Sequence, residues 1–125
     1  MNENDISYKI IGCALDIHKA LGPGLLESVY EAALKYELEQ LGLNVKSQVG
    51  MPFIYKNVKQ DVGYRLDLLV EDKLIIEIKS VETLAPVHYS QTLTFLKLSK
   101  LKLALLINFN TCVLKDGIHR LVNNL

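Results

Sequence analysis

The sequence predicts an α/β fold in which a mixed β-sheet is flanked by helices, and three patterns carry that prediction. Tyr64 to Ser80 alternates apolar and polar side chains as a β-hairpin does. Two segments of helical period precede it, divided by a Gly-Pro-Gly corner. Behind it a third helical segment leads into the unbroken apolar run Leu103 to Phe109, expected of a strand buried on both faces. Strand, helix, strand in that order implies a right-handed parallel crossover.

At 125 residues and 50% hydrophobic, the chain is long enough to bury a core without covalent staples, and one domain over residues 1–125 is expected. The polar, acidic start Met1-Asn-Glu-Asn-Asp has no signal pattern. No apolar run approaches the roughly 18 residues of a membrane span, so a cytoplasmic protein without a membrane partner is expected. Cys13 and Cys112 lack CxxC spacing and companion ligands, which argues against a zinc site or disulfide and for buried free thiols. A net charge of +0 argues against a generic polyanion binder. Residues 86–125 nevertheless hold Lys97, Lys100, Lys102, Lys115 and Arg120 against Asp116 alone, either a basic patch or scattered solvated side chains.

The first helix is expected from about Asp5 to Leu21, with Ile6, Ile10, Cys13, Ile17 and Leu21 along one side and Ile11, Leu15 and His18 on its flank. Gly22 supplies a left-handed cap, and Pro23 cannot continue the ladder. His18, near that end, reads as a structural or cap-contacting histidine. The second helix is expected from Leu25 to Leu41, burying Leu26, Val29, Ala33, Leu34, Leu38 and Leu41 and ending at Gly42. Glu27, Tyr30 and Glu31 share one face of its first turns. Acids there also complement the helix dipole, so Glu27 has a purely structural reading as well.

Val45 to Val49 and Phe53 to Tyr55 suggest two short strands around Gly50-Met51-Pro52, with Pro52 marking an edge or a strand start. Lys56 to Asp61 reads as a polar turn whose Lys56 and Lys59 either reach a substrate backbone or keep an edge soluble. The third helix is expected from Pro86 to Lys100. Cys112 to Leu114 and Ile118 to Val122 flank Lys115-Asp116-Gly117, a hairpin signal.

Within the hairpin, Tyr64, Leu66, Leu68 and Val70 are expected on one face with Leu74, Ile76 and Ile78, because paired residues must share a face. Centring the turn on Asp72 pairs Val70 with Leu74, Leu68 with Ile76 and Leu66 with Ile78. Asp67 then stands opposite Glu77, and Arg65 opposite Lys79. Like charges directly opposite destabilise a sheet, so the acids need a cation, either a divalent metal or Arg65 and Lys79. A β-bulge would upset this register.

Asp67 followed by Glu77-Ile78-Lys79 on the next strand resembles the PD-(D/E)xK phosphodiesterase superfamily, with Leu66 where the name pattern has Pro. Gly24-Leu-Leu-Glu27-Ser-Val-Tyr30, preceded by His18-Lys-Ala-Leu-Gly-Pro-Gly, resembles the signature of the GxxExxY family, which is grouped with those nucleases. The two motifs lie on different elements and together cover nearly the whole chain. The resemblance implies a restriction-endonuclease-like mixed sheet flanked by helices and a divalent-metal-dependent nuclease acting on DNA or RNA.

By that resemblance Asp67, Glu77 and the Ile78 carbonyl would hold Mg²⁺ or Mn²⁺ through oxygen ligands. Lys79 would orient the attacking water and stabilise charge on the phosphoryl oxygens. Glu27 would add an acid from a helix, directly or through water, and Tyr30 and Gln91 would support the site or touch substrate. Gln91 also reads as an exposed helix amide. The alternatives are a non-catalytic nucleic-acid- or protein-binding domain that keeps the nuclease fold, and a structural cluster in which Asp67, Glu77, Arg65 and Lys79 satisfy one another.

Overall fold

A five-stranded sheet in the order β1-β2-β3-β4-β5 forms the middle layer. The chain runs α1 (Glu3–Leu21), α2 (Glu27–Gln40), β1 (Val45–Tyr55), β2 (Val58–Val70), β3 (Leu74–Lys79), α3 (Pro86–Ser99), β4 (Leu103–Asn108), a 3₁₀ turn (Leu114–Gly117) and β5 (Ile118–Val122). This computed structural model describes the backbone of residues 1–125 and every side chain except those of Gln60, Asp61 and Val62. Among the described residues no helix is long and apolar enough to cross a membrane.

The sheet is mixed because β3 and β4 run parallel with α3 filling the crossover, while every other neighbouring pair is antiparallel. All six residues of β4 are buried, as its apolar run requires of a strand covered on both faces. On one face, Ile6, Ile10 and Ile17 of α1 and Tyr30, Leu34 and Leu38 of α2 pack with Leu68, Ile76, Ile78, Leu105 and Ile107. On the other, Phe95 and Leu96 of α3 pack with Leu66, Ile75 and Ala104.

α1 starts two residues earlier than expected because Asn2 caps it. The Asn2 side chain accepts the Asp5 N–H at 2.9 Å, and the Asp5 carboxylate accepts the Asn2 N–H at 3.3 Å. Gly22 closes the helix at φ 72, its N–H donating to the His18 carbonyl at 2.8 Å. The His18 ring meets the Thr111 carbonyl at 2.7 Å, the structural contact its position predicts. On α2 the buried stripe is Tyr30, Leu34 and Leu38, whereas Leu26, Val29 and Leu41 are exposed. Tyr30 anchors that helix in place of the expected leucine and valine, and its ring stacks on Phe109 at 4.4 Å.

Four further expectations change. The two strands around Pro52 are one edge strand, β1, with a register shift between Pro52 and Phe53. Edge position leaves the missing Pro52 donor unneeded. The turn after it is reduced to Lys56 and Asn57, both at positive φ, and the rest of the expected turn is strand β2. There is no hairpin at Asp116-Gly117, because β5 pairs with buried β4 and residues 114–117 form the 3₁₀ turn. Gly117 suits that turn, since a Cβ there would overlap the Asn108 carbonyl oxygen. Cys13 is buried as expected, but Cys112 is exposed on the loop after β4.

Candidate functional site

The site grows from a break in the sheet. β2 pairs with β3 at Val70↔Leu74, Leu69↔Ile75 and Leu68↔Ile76, the predicted register, and goes no further. At the next residue it is the Asp67 side chain that meets β3, its Oδ2 accepting the Ile78 N–H at 2.8 Å. On the other side of β2 the ladder to β1 passes from Ser47↔Leu68 to Val49↔Leu66, skipping Gln48 and Asp67, and Gln48 has φ 53. Left-handed backbone at a non-glycine residue marks a local kink.

The kink swaps the faces of both strands. Val45, Leu68 and Val70 pack towards α1 and α2, whereas Val49, Met51, Tyr64 and Leu66 pack towards α3. The expected common face of Tyr64, Leu66, Leu68 and Val70 is therefore corrected, together with the Leu66–Ile78 pair. Parity depends on unbroken alternation, which β1 loses at the left-handed Gln48 and β2 at Asp67 opposite it.

Glu77 is 5% exposed, in the middle of an otherwise apolar strand. Burial, and next the Asp67 carboxylate, push its carboxyl up from 4.5 to about 9, with Lys79 pulling weakly the other way. Among the described residues Glu77 Oε1 has no hydrogen-bond partner. Within β3 the Lys79 carbonyl accepts the Phe109 N–H at 2.9 Å across to the β4 side. Alternation then turns the Ile78 carbonyl towards β2, into the gap that Asp67 occupies.

Helix α2 closes the gap from the side. Glu27 Oε2 accepts the Ser80 N–H at 3.2 Å, and Ser80 Oγ donates to the Leu25 carbonyl at 2.6 Å, so the start of α2 is tied to the end of β3. Glu27, Ser28, Glu31, Gln48 and Asp67 line one cleft of ≈ 260 Å³. Gln48 Nε2 donates to Glu31 Oε1 at 2.7 Å. Partial burial raises the Glu31 carboxyl; that Gln48 bond opposes the shift, and Asp67 and Glu27 add to it. Glu31 and Gln48 were not among the expected site residues. Glu31 was legible as one turn from Glu27 on the same face, but nothing in the sequence marked the Gln48 backbone.

The remaining expected residues divide. Lys79 is half-buried beside Glu77 and makes no ion pair among the described residues. Tyr30 is fully buried, its hydroxyl donating to the Gly22 carbonyl at 2.6 Å and accepting the Leu25 N–H at 3.1 Å. That placement corrects the substrate contact expected of Tyr30 and leaves it a supporting position under the loop that carries Glu27. Gln91 is exposed on α3, bonded to neither acid among the described residues. Arg65 is exposed and reaches the Gln48 carbonyl at 3.5 Å rather than either acid. The charged cluster in which Arg65 and Lys79 neutralise the acids is thus absent from the described residues, whose one ion pair is Lys46–Asp72.

Oxygen is the only donor type here, which suits a hard divalent cation. Among the described residues no three His, Cys, Asp or Glu side chains are close enough to hold an ion by themselves. The oxygens that could hold such an ion together are those of Asp67 and Glu77 and the Ile78 carbonyl. Lys100 and Lys102 do not converge on it: they precede Leu103, which pairs with Leu74 at the opposite end of β3 from Lys79.

A family model described as the PD-(D/E)XK nuclease superfamily matches residues 4–121. No curated protein and no solved structure matches the chain.

Proposed function

The chain belongs to the PD-(D/E)XK nuclease superfamily, and on that premise we propose that residues 1–125 act as one cytoplasmic, divalent-metal-dependent nuclease domain that hydrolyses phosphodiester bonds in DNA or RNA. The observation that carries this reading is the Asp67–Glu77 pair. A buried carboxyl with one oxygen bonded to nothing, set against a second carboxylate, costs about 1–3 kcal/mol in the unsatisfied atom alone. A cation held between the two would offset that cost and take the place of the proton that Glu77 otherwise keeps.

Asp67, Glu77 and the Ile78 carbonyl would hold Mg²⁺ or Mn²⁺, with Glu27 joining from across the cleft it shares with Asp67. A bound ion of this kind supplies polarisation of the phosphoryl oxygen and acidifies a water. The chain does the rest. Lys79, beside Glu77 and free of an ion pair among the described residues, is available to orient the attacking water and to stabilise charge on the phosphoryl oxygens. Asp67 is held by its bond to the Ile78 N–H and lines the cleft with Glu27. Tyr30 and Ser80 position Glu27 by tying the Gly22–Leu25 loop and the end of β3 together. Gln91 is the proposed contact from α3 to bound nucleic acid.

The test is cleavage of a panel of single- and double-stranded DNA and RNA with Mg²⁺, Mn²⁺ or EDTA, against an Asp67→Ala/Glu77→Ala control. Turnover that needs the metal and both acids is expected. No turnover above the control would transfer the assignment to the binding domain that retains the nuclease fold, a reading favoured by the net charge of +0.

A further inference from the structure

The Asp67 cleft does not end at Glu27. A second hollow, of ≈ 510 Å³, opens between the start of α2, the end of β3 and the loop after β4. Glu27 and Ser28 line both, so the two hollows form one groove with Glu27 at its middle. Ser80 and Asn110 belong to the second hollow and follow Lys79 and Asn108, partners at the end of the parallel β3–β4 ladder. The groove therefore runs from Asp67 past the end of the strand that carries Glu77 and Lys79.

Its walls are fixed. The Tyr30 hydroxyl joins Gly22 to Leu25, and Ser80 Oγ donates to the Leu25 carbonyl, which together hold the loop before α2. The Asn110 N–H donates to Asn108 Oδ1 at 3.2 Å. Several of the groups that face the groove are unused. Neither the Ser28 hydroxyl nor the Asn110 side-chain amide bonds anything among the described residues.

Leu26 is the odd residue. It lines the groove 74% exposed and holds the N-cap position of α2 without capping it, where Ser, Thr, Asp or Asn would serve the helix. Tyr30, Leu34 and Leu38 supply the buried stripe of α2 without it. Neither core packing nor helix capping accounts for a leucine beside Glu27.

Continuity with the Asp67 cleft identifies what the groove takes. A strand with its scissile phosphate at the acids has its next nucleotide along the groove. Glu27 is the one charged residue lining the second hollow, so a sugar-phosphate there meets neutral donors, the hydroxyl and amide types that commonly contact it. Leu26 offers an apolar surface to the adjoining sugar and base.

We propose that the groove from Asp67 past Glu27 to Asn110 is the track of the cleaved strand, with Ser28 and Asn110 on the sugar-phosphate of the nucleotide adjoining the scissile bond and Leu26 against its sugar and base. The inference rests on the nuclease reading of the Asp67 cleft and adds the path of the substrate and three residues that bind it.

The experiment measures binding apart from chemistry. Fluorescence anisotropy in EDTA with labelled DNA and RNA oligonucleotides, single-stranded and duplex, selects the tightest-bound form. That form is then titrated with wild type, Leu26→Ala, Ser28→Ala/Asn110→Ala and Tyr8→Ala, the last a control at an apolar side chain of α1 that is 82% exposed. Circular dichroism verifies that each variant is folded. Leu26→Ala should weaken binding about tenfold, and the double variant about tenfold or more, at about fivefold for each lost hydrogen bond. Tyr8→Ala should bind as wild type does. The slope of log affinity against log salt should stay at its wild-type value in both groove variants, because neutral contacts release no counterions. No oligonucleotide binding, groove variants that bind as wild type does, a flattened salt slope, or an equal loss in Tyr8→Ala would overturn the assignment. The Mg²⁺ rise in Tm should persist in every variant and reads the acids independently. Its absence from wild type, with groove-dependent binding intact, would strike the nuclease chemistry and leave the groove.

Discussion

The Asp67 carboxylate accepts the Ile78 N–H at 2.8 Å, so a side chain stands in for the neighbouring strand where β2 leaves β3. The bond keeps the Ile78 donor satisfied while opening a gap in the sheet. Into that gap come Asp67, Glu77 and the Ile78 carbonyl. A continuous ladder would have tied up the Ile78 carbonyl in a backbone hydrogen bond.

Metal binding should be visible as stability. Mg²⁺ at 100-fold above its Kd adds about 2.7 kcal/mol to the native state, which for a chain of 125 residues is a rise of several degrees in Tm. Glu77→Gln keeps the shape, removes one of two facing acids and should erase most of that rise. A wild type that responds to Mg²⁺ no more than to NaCl of equal ionic strength would remove the metal site.

Glu77 also sets a pH dependence. With its carboxyl pushed up to about 9 from 4.5, the folded chain keeps a proton that the unfolded chain loses across that interval. The contribution is therefore full below pH 4.5 and is lost as pH rises towards 9, at up to about 1.4 kcal/mol per unit from this one group. Urea melts of the metal-free protein across this range should show the decline, and Glu77→Gln should flatten it. Metal uptake must displace the same proton, so Mg²⁺ affinity should increase over the same interval.

Lys79→Ala separates chemistry from binding. Lys79 is assigned no ligand role, so the variant should lose cleavage while retaining the Mg²⁺ shift in Tm. Loss of both would make Lys79 part of the structure of the site rather than a participant in hydrolysis.

At Gln48 the backbone itself is testable. Its φ of 53 costs a non-glycine residue about 1–2 kcal/mol, and its amide holds Glu31 at 2.7 Å. Gln48→Gly should match or exceed wild-type stability, whereas Gln48→Val, with a β-branched side chain, should lose about 1–3 kcal/mol. Equal denaturation midpoints for the two variants would show that the kink is not set here.

Tyr30→Phe removes the hydroxyl that joins the Gly22 carbonyl to the Leu25 N–H but keeps the stack on Phe109. A cost of about 1–3 kcal/mol is expected for the groups left unsatisfied, together with slower cleavage as the loop before Glu27 loosens. Unchanged turnover at reduced stability would confine Tyr30 to the core.

Much of this protein was decided locally. The helical period of Asp5 to Leu21, the Gly22 stop, the unbroken run from Leu103 and the pairing of Leu68 with Ile76 all follow from side-chain periodicity and turn chemistry. Those are properties of a few neighbouring residues. Asp67, Glu77 and Lys79 stand out in the sequence as charges at fixed spacing in an apolar hairpin, and Glu27 only through the resemblance of Gly24 to Tyr30 to a family signature. Only the tertiary structure decided that Tyr30 turns inward, because a hydroxyl can be buried only where a carbonyl and an amide converge on it, and Gly22 and Leu25 supply those from a neighbouring loop. Only the tertiary structure decided that Leu66 and Leu68 face opposite ways: strict alternation would put them on one face, and β2 departs from it at Asp67, where its ladder to β3 ends. The raised carboxyl of Glu77 has the same origin. Desolvation depends on everything packed around a group, and β4 and Asp67 reach Glu77 from parts of the chain that its own neighbours in sequence do not reveal.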